Sequence, residues 1–368
     1  MSDKKVTATS KSTSQGVSRR SFMTAAAGGA LAATAAPVFA QGRAQYRLRL
    51  QSFLGPGWDE WSTLVPRFCE RVKAMSDGQV EITPFPPGSL VPTFEMLDAV
   101  GRGVIDMAYG AQIYWRGRFP FTQWAWGIPF VFNTVDEYEI LWWESGMTEL
   151  VRENFATVGV QFLGPIYSDE WGSTISRRPI RSLADFQGLK IRSGGMGAEL
   201  WKEYGASIVM LPGEELYTGL STGVIDAANW GSPYGNVATK LQEVCKFYTG
   251  PSILACDAED LFMSKSVYDK MPSNIQEIMV NATRSFALER YAYSTLSSAR
   301  AFTTLRDAGV EIITLPQSDV QELRSKTTEL VEKTAGDDPA TKKALDMIYK
   351  LRGELDQLVW HPSSGLCS

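Results

Sequence analysis

The stretch EMLDAVGRGVIDMA, residues 95–108, decides the fold, because it returns as ELYTGLSTGVIDAA at residues 215–228. The offset is 120 residues, six of the fourteen positions are identical, and both copies carry Gly-Val-Ile-Asp. Each copy reads as a helix closed by Gly103 or Gly223, since glycine enters the left-handed cap conformation without a Cβ penalty. A short apolar strand is expected next, 104–107 in one copy and 224–227 in the other. The upstream elements correspond as well. Residues 46–53, 58–76 and 80–85 read as strand, helix and strand, and 189–192, 197–204 and 206–211 repeat that order. The chain is therefore expected to be α/β, with duplicated βαβαβ units forming two lobes. A cleft between such lobes is where small-molecule sites usually lie.

The remaining segments join these units. Residues 123–132 (QWAWGIPFVF) are too apolar for a surface loop and must be packed. Residues 136–153 read as one amphipathic helix, 158–164 as a strand crossing toward the second lobe, and 261–263 as a further strand. Turn and cap residues mark 177–188. Between Pro272 and Gly309 there is neither proline nor glycine, and both breakers stand where helix ends favour them. A single helix over that span is roughly 50 Å long at about 1.5 Å per residue, which exceeds one lobe and predicts a brace across both. A strand over 310–315 and charged helices over 318–334 and 339–355 follow. The expected division is a leader over 1–40, the first lobe over 41–164 and the second over 165–254. Residues 255–290 then return to the first lobe with half of the long helix, and 291–368 hold its remainder and second-lobe helices.

The leader reading rests on SRRSFM at residues 18–23, which follows a Lys-bearing polar stretch and opens the uncharged run 22–36. Val38-Phe39-Ala40 offers small residues where a signal peptidase needs them, with cleavage before Gln41. The run is 15 residues long with two glycines, short of the roughly 20 apolar residues that span a bilayer. Adjacent arginines here resemble a twin-arginine export signal. Removing five basic and one acidic side chain shifts the formal net charge from −5 to −9. Such a chain repels nucleic acid, and no basic cluster argues otherwise.

Chemistry is limited by what is scarce. His361 is the one histidine, so no His cluster and no Ser-His or Cys-His dyad exists in the folded body. Cysteines 69, 245, 256 and 367 lack metal-like spacing. Cys69 reads as a buried thiol on an apolar helix face. Cys245 and Cys256 flank an expected loop and either pair, as an oxidising compartment allows, or stay reduced. Acidic residues are spread, with no pair standing out as a dyad. These features argue for binding without turnover.

Arg192 ends an expected strand and precedes Ser-Gly-Gly-Met-Gly, where backbone approaches closely and a helix N-terminus favours an anion. Its guanidinium supplies a fork matched to a carboxylate; a surface ion pair is the other reading. Asn229 and Trp230 end the last strand of the same unit, followed by Tyr234. Gln112 and Tyr114 follow the paired strand of the first unit, and Trp171 follows the crossing segment. All seven are candidate ligand contacts.

Longer matches carry a family resemblance: LVPTFEMLDAVGRGVIDMAY (90–109), IRSLADFQGLKIR (180–192), GEELYTGLSTGVIDAANW (213–230), GIPF (127–130) and FMSK (262–265). Over nearly all of the chain beyond residue 40, the sequence resembles the extracytoplasmic solute-binding component of tripartite ATP-independent periplasmic (TRAP) transporters, the DctP-type family. The resemblance implies a two-lobed periplasmic binding protein fold, a periplasmic location, and Arg192 as the family's carboxylate-binding arginine. It is nearest the branch that binds 2-oxo acids such as pyruvate, or lactate, sometimes with a metal cation. That branch carries Glu-Trp where this chain has Asn229-Trp230, and a Gln near the position of Trp171 or Gly172. Loss of the carboxylate weakens a hard cation's site, so no cofactor or metal is expected, and Asn229 is expected to touch the acid directly. The wealth of Trp and Tyr admits larger or aromatic acids. The expected function is capture of an organic monocarboxylate by hinge closure and delivery to TRAP membrane permease subunits. A sensor's ligand-binding subunit and a secreted enzyme are the other classes. Branch members that dimerise by swapping a C-terminal helix have a longer tail, so a monomer is expected.

Overall fold

The computed structural model describes residues 44–358; the export-signal reading, His361 and Cys367 lie outside them. Strands β1 (Tyr46–Ser52), β2 (Val80–Phe85), β3 (Met107–Ala111) and β4 (Val160–Tyr167) belong to the first sheet. Strands β5 (Thr174–Ser176), β6 (Lys190–Arg192), β7 (Ser207–Val209), β8 (Ala227–Asn229) and β9 (Phe247–Gly250) belong to the second. Strand β10 (Ala258–Ser264) returns to the first sheet and β11 (Glu311–Thr314) to the second. The orders are β2-β1-β3-β10-β4 and β11-β9-β5-β8-β6-β7. In each sheet three parallel strands, β2-β1-β3 or β7-β6-β8, meet an antiparallel fourth, β10 or β5. The two lobes are thus built alike.

The likeness extends to individual hydrogen bonds. Asp106 Oδ2 accepts the backbone N–H of Arg49 in β1 at 2.8 Å, and Asp226 Oδ2 accepts that of Lys190 in β6 at 3.1 Å. The carbonyl of Asp106 accepts from Ser264, and that of Asp226 from Arg177. Gly-Val-Ile-Asp is therefore a staple between helix and strand rather than strand itself, and β3 and β8 start at residues 107 and 227. Val104 and Val224 are about half exposed, whereas Ile105 and Ile225 are buried. The cap reading holds, with φ of +73° at Gly103 and +78° at Gly223.

The crossing lies later than expected. β4 stays in the first sheet through Tyr167, so residues 168–173 pass to the second lobe and 251–257 return. These segments pair: Trp171 N–H donates to Leu254 O (3.0 Å), Leu254 N–H to Trp171 O (2.9 Å), and Ser168 N–H to Asp257 O (3.2 Å). Together with the β4–β10 and β5–β9 pairings they form one antiparallel ribbon running through both sheets.

The helix Ser273–Asp307 is unbroken over 35 residues. It packs on β4 and the helix Asp59–Met75 of the first lobe, and on the helix Pro233–Ala238 and β11 of the second. The segment 136–153 is two helices, Val135–Trp143 and Met147–Ala156, because Gly146 adopts a left-handed φ of +92° between them. The helix Gln317–Thr334 packs on the second-lobe helix Gly195–Glu203. Pro339–Leu355, expected on the second lobe, instead covers the flank of that first-lobe helix pair. Its Arg352 Nη1 donates to Glu137 Oε1 at 2.8 Å. Cys245 and Cys256 do not pair. With Cys69 they are buried free thiols, separated in the chain by the whole of β9, and burial pushes the Cys245 and Cys69 thiols up to about 12. No helix among the described residues is long and apolar enough to cross a membrane.

Candidate functional site

Arg192 is fully buried at the C-terminal end of β6. Its Nε donates to Leu211 O at 3.0 Å and Nη1 to Asn229 O at 3.2 Å, while Nη2 makes no hydrogen bond of good geometry. The guanidinium carbon stands 4.5 Å from the Trp230 ring centroid, a cation–π contact. Trp230 fits there because Gly213 faces it: a Cβ on Gly213 would come within 2.6 Å of the ring. Burial lowers the proton affinity of Arg192, and the countering group is the Tyr114 hydroxyl. No carboxylate among the described residues forms an ion pair with Arg192.

The cavity beside Arg192 lies between the lobes. Aromatic rings form much of it, with Phe53, Trp58 and Tyr114 from the first lobe against Trp230 from the second. The helix start at Gly195 (φ +53°) and Gly197 lets Trp126 and Trp171 approach, since a Cβ at either glycine would meet one of those rings within about 3.2 Å. Trp126 and Trp171 pack edge to face at 4.5 Å. The lobes are shut on one another. Asp59 N–H donates to the Tyr234 hydroxyl at 2.7 Å, Thr93 Oγ1 donates to Glu214 Oε1 at 2.6 Å, and Arg116 pairs with Glu199 at 3.6 Å. The space left for the centre of a water is about 30 Å³, room for roughly two or three waters.

The wall opposite in charge is acidic. Glu60 comes from the helix Asp59–Met75, Asp169 and Asp257 from the crossing ribbon, and Glu259 from β10. Arg290 of the long helix reaches them, with Nη1 3.1 Å from Glu259 Oε2 and Nε 3.7 Å from Glu60 Oε1. Tyr109 donates its hydroxyl proton to Glu259 at 2.5 Å, and Ser168 to Asp257 at 2.6 Å. Burial pushes Glu60 and Glu259 up to about 7, with Arg290 opposing the rise in both. Burial likewise raises Asp169 and Asp257. For Arg290 burial lowers proton affinity, but Glu259, Tyr109 and Glu60 more than offset it.

Of the candidates read from sequence, Arg192, Trp230, Trp171 and Tyr114 line the cavity. Asn229 does not. Its amide Nδ2 donates to Gly172 O at 2.5 Å and its Oδ1 accepts from Ser193 Oγ at 3.2 Å, so the side chain ties β8 to its neighbours. Its carbonyl instead positions Arg192. Gln112 is buried beside Asp260, behind the cavity wall. Tyr234 backs Trp58, with ring centroids 5.6 Å apart, and serves the closure contact with Asp59. The sequence reading missed Glu60, Asp169, Asp257, Glu259, Arg290, Phe53, Trp58 and Trp126. A readable signal existed for two. Glu60 falls on the stripe Glu60-Leu64-Phe68-Val72 at helical spacing, and Arg290 sits mid-stripe on the long helix between Phe286 and Ser294.

Two lobes joined by a ribbon and shut over a small interlobe cavity are an arrangement suited to holding a small solute. The chain belongs to the bacterial extracellular solute-binding proteins of family 7, the DctP family, matched over residues 59–337. Its members serve transporters as binding proteins and are not enzymes. A monocarboxylate 2-oxoacid-binding periplasmic protein of Nostoc sp. is 27% identical over 295 residues, covering 78% of this chain and 79% of that one. The 2,3-diketo-L-gulonate-binding periplasmic protein of Escherichia coli is 26% identical over 253 residues, covering 67% and 75%. A TRAP periplasmic solute-binding protein of Pseudoalteromonas atlantica, solved with bound sodium and pyruvate, superposes with a TM-score of 0.80 at 25% identity. That match covers 88% of this chain and 98% of the other. Among the described residues no group of three or more His, Cys, Asp or Glu is arranged to hold a metal ion.

Proposed function

We propose that this chain captures a small organic monocarboxylate in the periplasm and delivers it to the membrane subunits of a TRAP transporter. One observation carries the reading: Arg192 is fully buried with Nη2 unmatched by a good hydrogen bond, and among the described residues only the Tyr114 hydroxyl, and no carboxylate, answers its charge. An isolated buried charge costs several kcal/mol unless an opposite charge joins it, so the site is built for an anion. The indole Nε1–H groups of Trp126 and Trp230, both in the cavity wall, also lack acceptors. A dissociation constant near 1 μM corresponds to about −8 kcal/mol. A charge-assisted pair supplies roughly 1.5–3 kcal/mol of that, and burial against the aromatic rings supplies most of the rest. The narrow cavity favours short acids over large aromatic ones, and pyruvate, bound in the Pseudoalteromonas relative, is of the short kind. The test is calorimetry with a panel of short organic acids. Arg192→Ala weakens binding at least tenfold while circular dichroism stays that of the parent. Unchanged affinity rejects the assignment.

A further inference from the structure

The cavity has a second pole that a plain carboxylate leaves unanswered. Four buried carboxyl groups, Glu60, Asp169, Asp257 and Glu259, line it against one cation on their side, Arg290. Two of them are met closely: Glu259 by Arg290 and Tyr109, and Asp257 by Ser168. Glu60 is fully buried and neither oxygen receives a hydrogen bond of good geometry, the Tyr234 hydroxyl being the donor that bears on it; Asp169 has Ser232 and Ser298 nearby but keeps Oδ2 unmet. Arg290 stands 3.7 Å from Glu60, too far to bond it. Donors at Arg192, Trp126 and Trp230 and acceptors at Glu60 and Asp169, all short of a good hydrogen bond, therefore share one small, water-poor space.

We infer that the solute is a zwitterion, whose protonated nitrogen meets Glu60 and Asp169 while its carboxylate lies on Arg192. The inference rests on the carboxylate reading above and specifies the other end of the molecule. A cation there satisfies two carboxylates that burial otherwise penalises. The surrounding rings of Trp58 and Trp171 suit it as well, since an ammonium is attracted to aromatic faces. A 2-oxo or hydroxy acid offers no positive charge to this wall and leaves Glu60 to be neutralised by a proton.

The experiment uses matched sets that differ at one group: alanine, lactate and pyruvate; proline and tetrahydrofuran-2-carboxylate. Thermal shift ranks them, and calorimetry in two buffers of different ionisation enthalpy measures affinity and proton exchange. The amino member of a set is expected to bind at least tenfold more tightly, with protons released near pH 7 as Glu60 ionises against its partner. Asp59, Tyr109, Asp169, Tyr234, Glu259, Arg290 and Tyr293 are the other charged or titratable groups that bear on Glu60. Glu60→Gln, which keeps the side chain's shape, is expected to erase the preference; Asp169→Asn reduces it. Binding confined to the oxo and hydroxy acids, or a preference that survives Glu60→Gln, overturns the zwitterion and leaves the carboxylate reading standing. Failure of every compound in both sets sinks the two together.

Discussion

Replacing Arg192 with methionine separates a ligand group from a structural strut. Methionine is apolar and nearly as long, so it fills the space over Trp230 without bringing charge. The variant leaves the carbonyls of Leu211 and Asn229 short of a donor, at about 1–3 kcal/mol each. It also removes an ion whose uncompensated burial costs several kcal/mol. The terms nearly cancel, so the empty variant is expected to melt within about 4 °C of the parent, or above it. The liganded protein behaves otherwise. A solute at a hundred times its dissociation constant adds about 2.7 kcal/mol. At roughly 2–4 °C per kcal/mol for a protein of this order of size, that is a shift of about 5–10 °C. Losing one partner of a buried charge pair costs about 2–5 kcal/mol of binding, which removes most of the shift. Differential scanning fluorimetry with and without the acid reads both effects. A variant that melts more than 10 °C lower yet keeps the ligand shift refutes the reasoning, because Arg192 would then be holding the fold rather than awaiting an anion.

Three further outcomes follow from the same geometry. Glu60 and Glu259 have folded pKa values near 7 against an ordinary 4.5, so between those values the folded state holds more protons than the unfolded one. Stability of the empty protein therefore falls as pH rises through that window, by at most roughly 3 kcal/mol per carboxyl. Melting at pH 5 should exceed that at pH 8, and Glu60→Gln should flatten the slope. Gly213→Ala places a Cβ against the Trp230 ring. Overpacking of this kind costs about 1–3 kcal/mol, and affinity for the acid should drop at least tenfold by calorimetry as the ring under Arg192 shifts. Arg290→Met strips Glu259 and Glu60 of their cation. Breaking a buried pair from one side costs about 3–5 kcal/mol, seen as an earlier urea midpoint; an unchanged midpoint would mean that the carboxyls were already neutral.

The duplicated frame was legible because it is written in local signals that context does not override. Gly103 and Gly223 cap helices wherever they stand, and the stretch without breakers before Gly309 leaves a helix no place to stop. The placing of Gly-Val-Ile-Asp was not legible from hydrophobicity alone, since Val104 and Val224 look like strand residues but face solvent, and the aspartates act through hydrogen bonds. Arg192 stood out because a strand end followed by glycines suits an anion. Position alone left a surface ion pair equally open, and the family resemblance decided between them; the structure buries it in the cavity wall. The acidic wall was not legible as a unit, although Glu60 and Arg290 each carried a local signal. Glu60, Asp169, Glu259 and Arg290 come from four separate segments, and only the tertiary packing brings them together. Asn229 misled because its side chain has the right chemistry for a solute but is held by its own sheet.

The pairing of β10 between β3 and β4 has a consequence for how the protein comes into being. The first lobe lacks an interior strand until residue 264 has been made, and the second closes with residues 311–314. Neither half exists as a contiguous piece that a nascent chain can finish early. The growing polypeptide stays uncommitted until nearly all of it has left the ribosome, and a truncated gene encoding one half should yield insoluble product rather than a working module.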